Sequence, residues 1–437
     1  MTTTSFSKYK TELSQLFEEE SVLELQLDVE RALTKANYLV GRIPEEAWLE
    51  ISKFATKEYI KLERVKELEE KTQHDIMSLV LAISEQCPNF GGYVHFGATS
   101  SDIKDTVLSL QMQKSKEHLI SNIDTVLGIL LNLADKTKTV ACIGRTHGQH
   151  AIPMTYGFKF ANFAFELFLA RQNLEATKVN YGKMSGAIGN YASFGTKEVE
   201  KITLDELNLD SLLISTQVIT RVIHSKFIFA LTLVSSAIER LAREIRNLQR
   251  TEINEIQEIF SKDHVGSSTM PQKKNPYLLE RICGISRFIR QMPSLTLEDI
   301  CLEHERDLTN SSTERIIIPQ TIILVDYILN NIRKILNRIS LNPEQIKKNL
   351  YLQKGRQCGE NLMLKLTPYL GRQEAHQLVK NLSSSDNFIQ EVKNSIVSNY
   401  IDVNKIDKIL NPENYLGLSF ELTNHVIMSI RNTLPHI

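Results

Sequence analysis

The chain has 437 residues, 42% of them hydrophobic, and its 51 Lys and Arg nearly cancel its 52 Asp and Glu to leave a net charge of -1. That balance supplies no long-range pull toward nucleic acid or an anionic membrane, and the apolar content is ample for a large core. Five scattered cysteines without a C-x-x-C argue against a disulfide framework or a zinc site. Together with an N-terminal MTTTSFSKYK that lacks an apolar segment, they predict a cytoplasmic protein without a secretory signal.

Only 18 glycines and 11 prolines interrupt the chain, which favours long helices. In residues 22–36, Val22, Leu25, Val29, Ala32, Leu33 and Ala36 recur at three- and four-residue steps, the mark of an amphipathic helix. Residues 89–100 (NFGGYVHFGATS) are the main strand candidate. From 105 to 136, Leu108, Met112, Leu119, Ile123, Val126, Leu130 and Leu133 form one apolar stripe. Further long helices are predicted over 156–180, over 225–262, and from about 312 to 339, the last with Pro319 as a kink or early-turn residue. The most apolar stretch, FIFALTLV at 227–234, is far shorter than the roughly 20 residues of a membrane span. Helices this long must bury their stripes on one another, so the expected class is all-α, an elongated long-helix bundle. Several stripes are too wide for one chain to cover, which predicts an oligomer. The expected division is an N-terminal helical domain over 1–98, a central bundle over 99–349 and a small C-terminal domain over 350–437.

Six short stretches of small and polar residues interrupt the helices: TQHD (72–75), HFGATSSD (95–102), GRTHGQH (144–150), KMSGAIGN (183–190), GSSTMPQKKNP (266–276) and EHERDLTNSSTER (303–315). Thr99 and Ser100 stand before a long helix, where an anion is favoured, although capping of that helix by Ser100, Ser101 or Asp102 would use the same stretch. Ser311 and Arg315 are four apart and share a helix face, and an arginine fork suits phosphate oxygens; ion pairing with Glu303, Glu305, Asp307 and Glu314 competes with that reading. His147 and His150 have no carboxylate or cysteine at metal-ligand spacing, so no metal is expected there.

GSSTMPQKKNP fits the signature G-S-x-x-M-x-x-K-x-N, and with it the chain resembles the fumarase/aspartase superfamily. HFGATSSD, GRTHGQH, KMSGAIGN, EIRNLQRTE and above all HERDLTNSSTER resemble the adenylosuccinate branch of that superfamily. The resemblance covers roughly residues 20–345. It implies a bundle of the superfamily type, in three helical domains and completed by tetramerisation, with each site shared between subunits. It also implies elimination of fumarate from a succinylated nucleotide, adenylosuccinate and its carboxamide-ribotide analogue, without a cofactor. Such a reaction needs a base, an acid, anion binders for two carboxylates and a phosphate clamp. By resemblance, Ser267 is the base, His147 the acid and His74 its support. Lys273 and Asn275 hold a substrate carboxylate, with Ser268 as a hydrogen-bonding neighbour. Asp75, Thr99, Ser100, Gln217 and Tyr9 contact substrate, and Arg306, Ser311 and Arg315 take the phosphate. Gly266 suits the hinge of a lid.

The chain departs from the branch in places. Lys8–Tyr9 stands for an Arg-Tyr pair, Val222 and Ile223 follow Arg221 where Asp-Arg is usual, and Arg281 replaces an asparagine. These leave three alternatives: argininosuccinate as substrate, a carboxymuconate-type cycloisomerisation, or a helical oligomer without catalysis.

Overall fold

The structure is a computed structural model that describes residues 6–259, 270 and 273–437. By compactness the chain falls into two units, each assembled from three segments: Met1–Asn122, Ala170–Ser236 and Ile285–Ile328 in the first, Ile123–Leu169, Ala237–Gly284 and Leu329–Ile437 in the second.

In the first unit, α1 (Glu19–Leu39) is followed by α2 (Glu45–Phe54), α3 (Leu62–Thr72) and α4 (Asp75–Gln86). The stripe on α1 is buried on two sides. Leu25, Val29 and Leu33 pack with Ile76, Ile103 and Val107, while Leu23 and Leu27 pack with Ile51, Leu79 and Ile83. Each such leucine is worth about 1.5–3 kcal/mol of apolar burial. α5 (Ser100–Thr137) realises the helix predicted over 105–136 and starts five residues before the predicted start at 105. Met112, Leu119, Ile123, Val126 and Leu130 of its stripe are buried. Leu108 and Leu133 are half-buried. A polar contact sits among these apolar faces, where Asp326 accepts from Asn122 at 2.6 Å and faces His118 at 3.2 Å.

In the second unit, β1 (Ala141–Thr146) and β2 (Gln149–Thr155) form an antiparallel hairpin. α6 (Tyr156–Ala176) follows directly. A separate cluster of Leu362, Leu366, Ala375, Phe388, Ile406 and Leu410 is the core of the short C-terminal helices. After α6 come α7 (Glu198–Glu206), α8 (Val222–Leu248), α9 (Tyr277–Ile289), α10 (Met292–Glu298) and α11 (Thr309–Leu336), of which α7 and α10 are short.

Two local expectations need correction. α8 does not run to 262: it stops at Leu248, Asn254 takes a left-handed backbone (φ 48°), and Ile256–Glu258 forms a strand against Ile339–Leu341. The rest of that predicted helix, 260–262, lies outside the described residues. Residues 89–100 are not a strand, because Gly91–Tyr93 forms a 3-10 turn and α5 begins at Ser100. That turn needs Gly91, where a Cβ would lie 2.8 Å from the Ser84 carbonyl oxygen. α11 continues through Pro319. One helix among the described residues, α8, is long and apolar enough to cross a membrane, and 67% of its most apolar window is buried inside the protein, as in the core helix of a soluble protein.

Candidate functional site

Three helices bring charged side chains to one cleft of about 620 Å³ in the first unit, lined among others by Asp75, Lys104, Arg306, Ser311 and Arg315. Each helix places its group by its own start. His74 is the N-cap of α4, its Nδ1 accepting the Met77 N–H at 3.2 Å. That contact occupies Nδ1 and leaves Nε2 as the ring atom that can meet a ligand. Asp75 is the first helical residue, and its Oδ1 accepts the Ile76 N–H at 2.8 Å. At the start of α5 the Thr99 N–H donates to Asp102 Oδ2 at 2.9 Å. That cap satisfies the backbone and leaves the half-buried hydroxyls of Thr99 and Ser100 available to a ligand. Lys104 follows Ser100 by four residues, and Arg315 follows Ser311 by four, so each pair shares a helix face. The two faces meet on Asp75, whose Oδ2 accepts from Lys104 at 2.6 Å and from Arg315 at 3.4 Å. Burial pushes the Asp75 carboxyl up, but the hydrogen bond and charge of Lys104, the Ile76 N–H and the Arg315 charge outweigh it and hold Asp75 below the usual carboxylate range.

Buried ion pairs hold these helices in place. Arg221, just before α8, donates to Asp105 of α5 at 2.7 and 3.0 Å and to Glu314 of α11 at 2.9 and 3.1 Å. Glu314 also accepts from Asn310 at 2.8 Å and faces His224 Nδ1 at 3.1 Å. Burial raises the Asp105 and Glu314 carboxyls, and the Arg221 and His224 partners more than reverse it, so both are depressed. Asp102, fully buried, pairs with Lys183 and accepts the Ser185 and Gly186 N–H groups at 3.0 and 3.2 Å. The KMSGAIGN stretch is therefore fastened to the first turn of α5.

Arg306, at the cleft, and the other predicted contacts of this unit have partners of their own. Arg306 donates to Gln217 Oε1 at 2.7 Å, and Gln217 Nε2 donates to the Ala187 carbonyl at 2.9 Å. The Arg306 Nε is buried with no hydrogen-bond partner. Tyr9 stands edge-on to Tyr327, with ring centroids 5.2 Å apart.

His147, Lys273 and Asn275 belong to the second unit. His147 and Gly148 are the two turn residues of the β1–β2 hairpin, between the facing residues Thr146 and Gln149. Both have left-handed backbones (φ 53° and 74°), as a type I′ turn requires. A histidine in that region is uncommon, and sparsely populated backbone of this kind clusters at functional sites. The hairpin is anchored below by Glu255, buried, which pairs with Arg145 and accepts from Tyr156 at 2.6 Å and Asn349 at 2.8 Å. Lys273 and Asn275 line a second cleft of about 800 Å³, together with Arg246, Arg250 and Lys274. Ser267 and Ser268 lie outside the described residues.

Three polar residues of this architecture are absent from the sequence reading of the site. Lys104 and Arg221 are the partners of Asp75 and Glu314. His95, in the left-handed region (φ 62°), holds the fully buried Glu30 at 2.6 Å. A lysine four residues beyond Thr99-Ser100 carries a helical-face signal for the first. Nothing local marks Glu30, 65 residues from its partner.

The chain is similar to known proteins over most of its length. A family model described as lyase matches residues 4–290. An adenylosuccinate lyase of Pyrococcus abyssi is 44% identical over 427 residues, covering 95% of this chain and 95% of its own. One of Methanothermobacter thermautotrophicus is 44% identical, covering 95% and 96%. Among solved structures, a fumarate lyase from Mesorhizobium sp. BNC1 superposes with a TM-score of 0.88 at 26% identity, over 96% of this chain and 98% of its own. A 3-carboxy-cis,cis-muconate lactonizing enzyme from Pseudomonas putida gives 0.88 at 25% identity, over 98% and 99%.

Proposed function

The chain belongs to the adenylosuccinate lyase family, C–N lyases, and we propose that its cleft of Arg306, Ser311 and Arg315 is where the nucleotide monophosphate of the substrate is held. The chain acts as an adenylosuccinate lyase, cleaving the succinyl C–N bond to release fumarate and leave AMP. The carboxamide-ribotide analogue is the second substrate of this reading.

The observation that carries the cleft assignment is its charge. Asp105 and Glu314 share Arg221, with His224 also against Glu314, and Glu19 pairs with Lys66. Lys104 and Arg315 pair with Asp75, and Arg306 with the neutral Gln217, so three cationic donors converge on the cleft, as suits a phosphate. The buried, unpartnered Arg306 Nε and the Ser311 hydroxyl add donors for its oxygens.

The chemistry divides among the polar stretches. Ser267 takes the proton from the carbon beside the carboxylate, a role that rests on the signature match. Lys273 and Asn275, with Ser268, hold the substrate carboxylate and the negative charge that develops beside it. The basic surroundings of Lys273 and Asn275, Arg246 and Arg250, support an anion there. His147 delivers a proton to the leaving nitrogen. His74, its Nδ1 occupied by the Met77 N–H, supports as a donor through Nε2. Thr99, Ser100 and Gln217 bind the succinyl group, and Tyr9 the nucleotide.

The enzyme works in this reading as a cytoplasmic homotetramer with shared sites. Large apolar side chains left exposed on the long helices, Phe165, Leu169, Phe229 and Ile316, support burial against further copies.

The test is to incubate the protein separately with adenylosuccinate and argininosuccinate and follow fumarate absorbance. Release from the first alone supports the reading, and release from the second alone overturns it. Arg315→Ala should then weaken phosphorylated substrate selectively.

A further inference from the structure

We propose that Lys104 is a positioning residue for the phosphate end of the site: by holding and neutralising Asp75, it leaves Arg315 free to receive the phosphate. This rests on the reading of the cleft given above.

Asp75 is the carboxylate of the cleft that Lys104 and Arg315 share, whereas Arg221 takes Asp105 and Glu314, and Lys66 takes Glu19. It faces two cations on one oxygen, and they hold it unequally. Lys104 is in full contact at 2.6 Å, whereas Arg315 is loosely engaged at 3.4 Å with its side chain 67% exposed. Asp75 therefore occupies, in the free protein, ground that an incoming dianion must contest. Lys104 settles that contest on the side of the phosphate.

Without Lys104, two things change. Asp75 would have Arg315 as its only cation, and an arginine fork binds a carboxylate in a stronger, two-pronged pair. The phosphate would also meet an uncompensated carboxylate, and like charges facing one another oppose binding. Lys104 gains nothing for its own helix by its position: it follows the first turn of α5, where the macrodipole favours anions. Its carbon stem rises from a helix that Asp102, Asp105 and their partners fix in place.

The experiment is a double-mutant cycle read by AMP binding, with calorimetric titration of the intact protein. Lys104→Met is expected to raise the dissociation constant for AMP about tenfold, and Lys104→Arg to leave it near the wild-type value. In an Asp75→Asn background the same Lys104→Met change should cost less than about twofold, because the charge it neutralises is gone. A thermal melt of each variant establishes folding, and Lys104→Arg keeps the test open should Lys104→Met not fold. A penalty that persists undiminished in the Asp75→Asn background overturns the proposal, since Lys104 would then act on the phosphate itself. Arg315→Ala separates the two levels of inference. If it weakens AMP while Lys104→Met does not, this proposal alone fails; if it leaves AMP binding intact, the phosphate reading falls and this proposal with it.

Discussion

Arg221 grips Asp105 with two hydrogen bonds, at 2.7 and 3.0 Å, and both side chains are almost wholly buried. The same guanidinium holds Glu314, so one cation bridges two carboxylates from α5 and α11, the helices that carry Lys104 and Arg315. Arg221→Leu would strand both carboxylates in the interior. Breaking a buried pair in this way costs about 3–5 kcal/mol, more than the pair adds over an apolar substitute. Denaturant unfolding of Arg221→Leu should show a loss of that order. A change under about 1 kcal/mol would mean the carboxylates find water, and the network is not the anchor described.

The His95–Glu30 contact predicts a stability that depends on pH. Burial lowers the affinity of the His95 ring for its proton, but the Glu30 charge and hydrogen bond, with the Asp102 charge, more than reverse that and leave it raised. A group with a raised folded value stabilises fully below its unfolded value, about 6.5 for histidine, and its contribution fades as pH rises through the folded value. The gap in unfolding free energy between the wild type and His95→Asn should thus be largest below about pH 6.5 and shrink above it. Asparagine tolerates the left-handed backbone at this position, so the comparison isolates the titration. A gap that widens with pH would contradict the assigned pair.

The long helices are legible in the sequence because their apolar faces repeat at helical spacing without interruption. The stripe from Met112 to Leu130 is an example, and those residues are buried. The end of α8 is not legible: EIRNLQRTE is made of good helix formers, and what stops the helix is tertiary, the pairing of Ile256–Glu258 with a strand far along the chain. The hairpin at GRTHGQH is also hidden, since His-Gly is a weaker turn signal than Asn-Gly. For the site, local spacing finds Ser311 with Arg315 but not what they face. Asp75 lies 240 residues from Arg315, and only folding joins them.

Gly97 tests the packing of the HFGATSSD stretch. Its backbone is left-handed (φ 87°), and an added Cβ would lie 2.9 Å from the Phe194 ring and 3.2 Å from Arg42 Nη1. Arg42 stacks on both Phe96 and Phe194 and donates to the Ser193 carbonyl at 2.7 Å, so it has little room to give way. Gly97→Ala should cost on the order of 1–3 kcal/mol in stability and displace Thr99 and Ser100. Turnover should fall by more than the loss of folded protein explains, measured as activity per folded molecule after a melt. Unchanged activity at unchanged melting temperature would show the stretch to be looser than its contacts indicate.

His147 joins backbone geometry to proposed chemistry, and the two can be separated. The turn demands a left-handed residue, which asparagine supplies as readily as histidine, whereas valine at the same place carries the full penalty of a β-branched side chain. His147→Asn should therefore melt close to the wild type while fumarate release falls by about 10²–10⁴, the usual contribution of a positioned general acid. His147→Val should lose activity and stability together. The discriminating measurement is turnover of His147→Asn with adenylosuccinate: a rate within a few-fold of the wild type would remove His147 as the acid and leave the turn as a structural feature that holds β1 against β2.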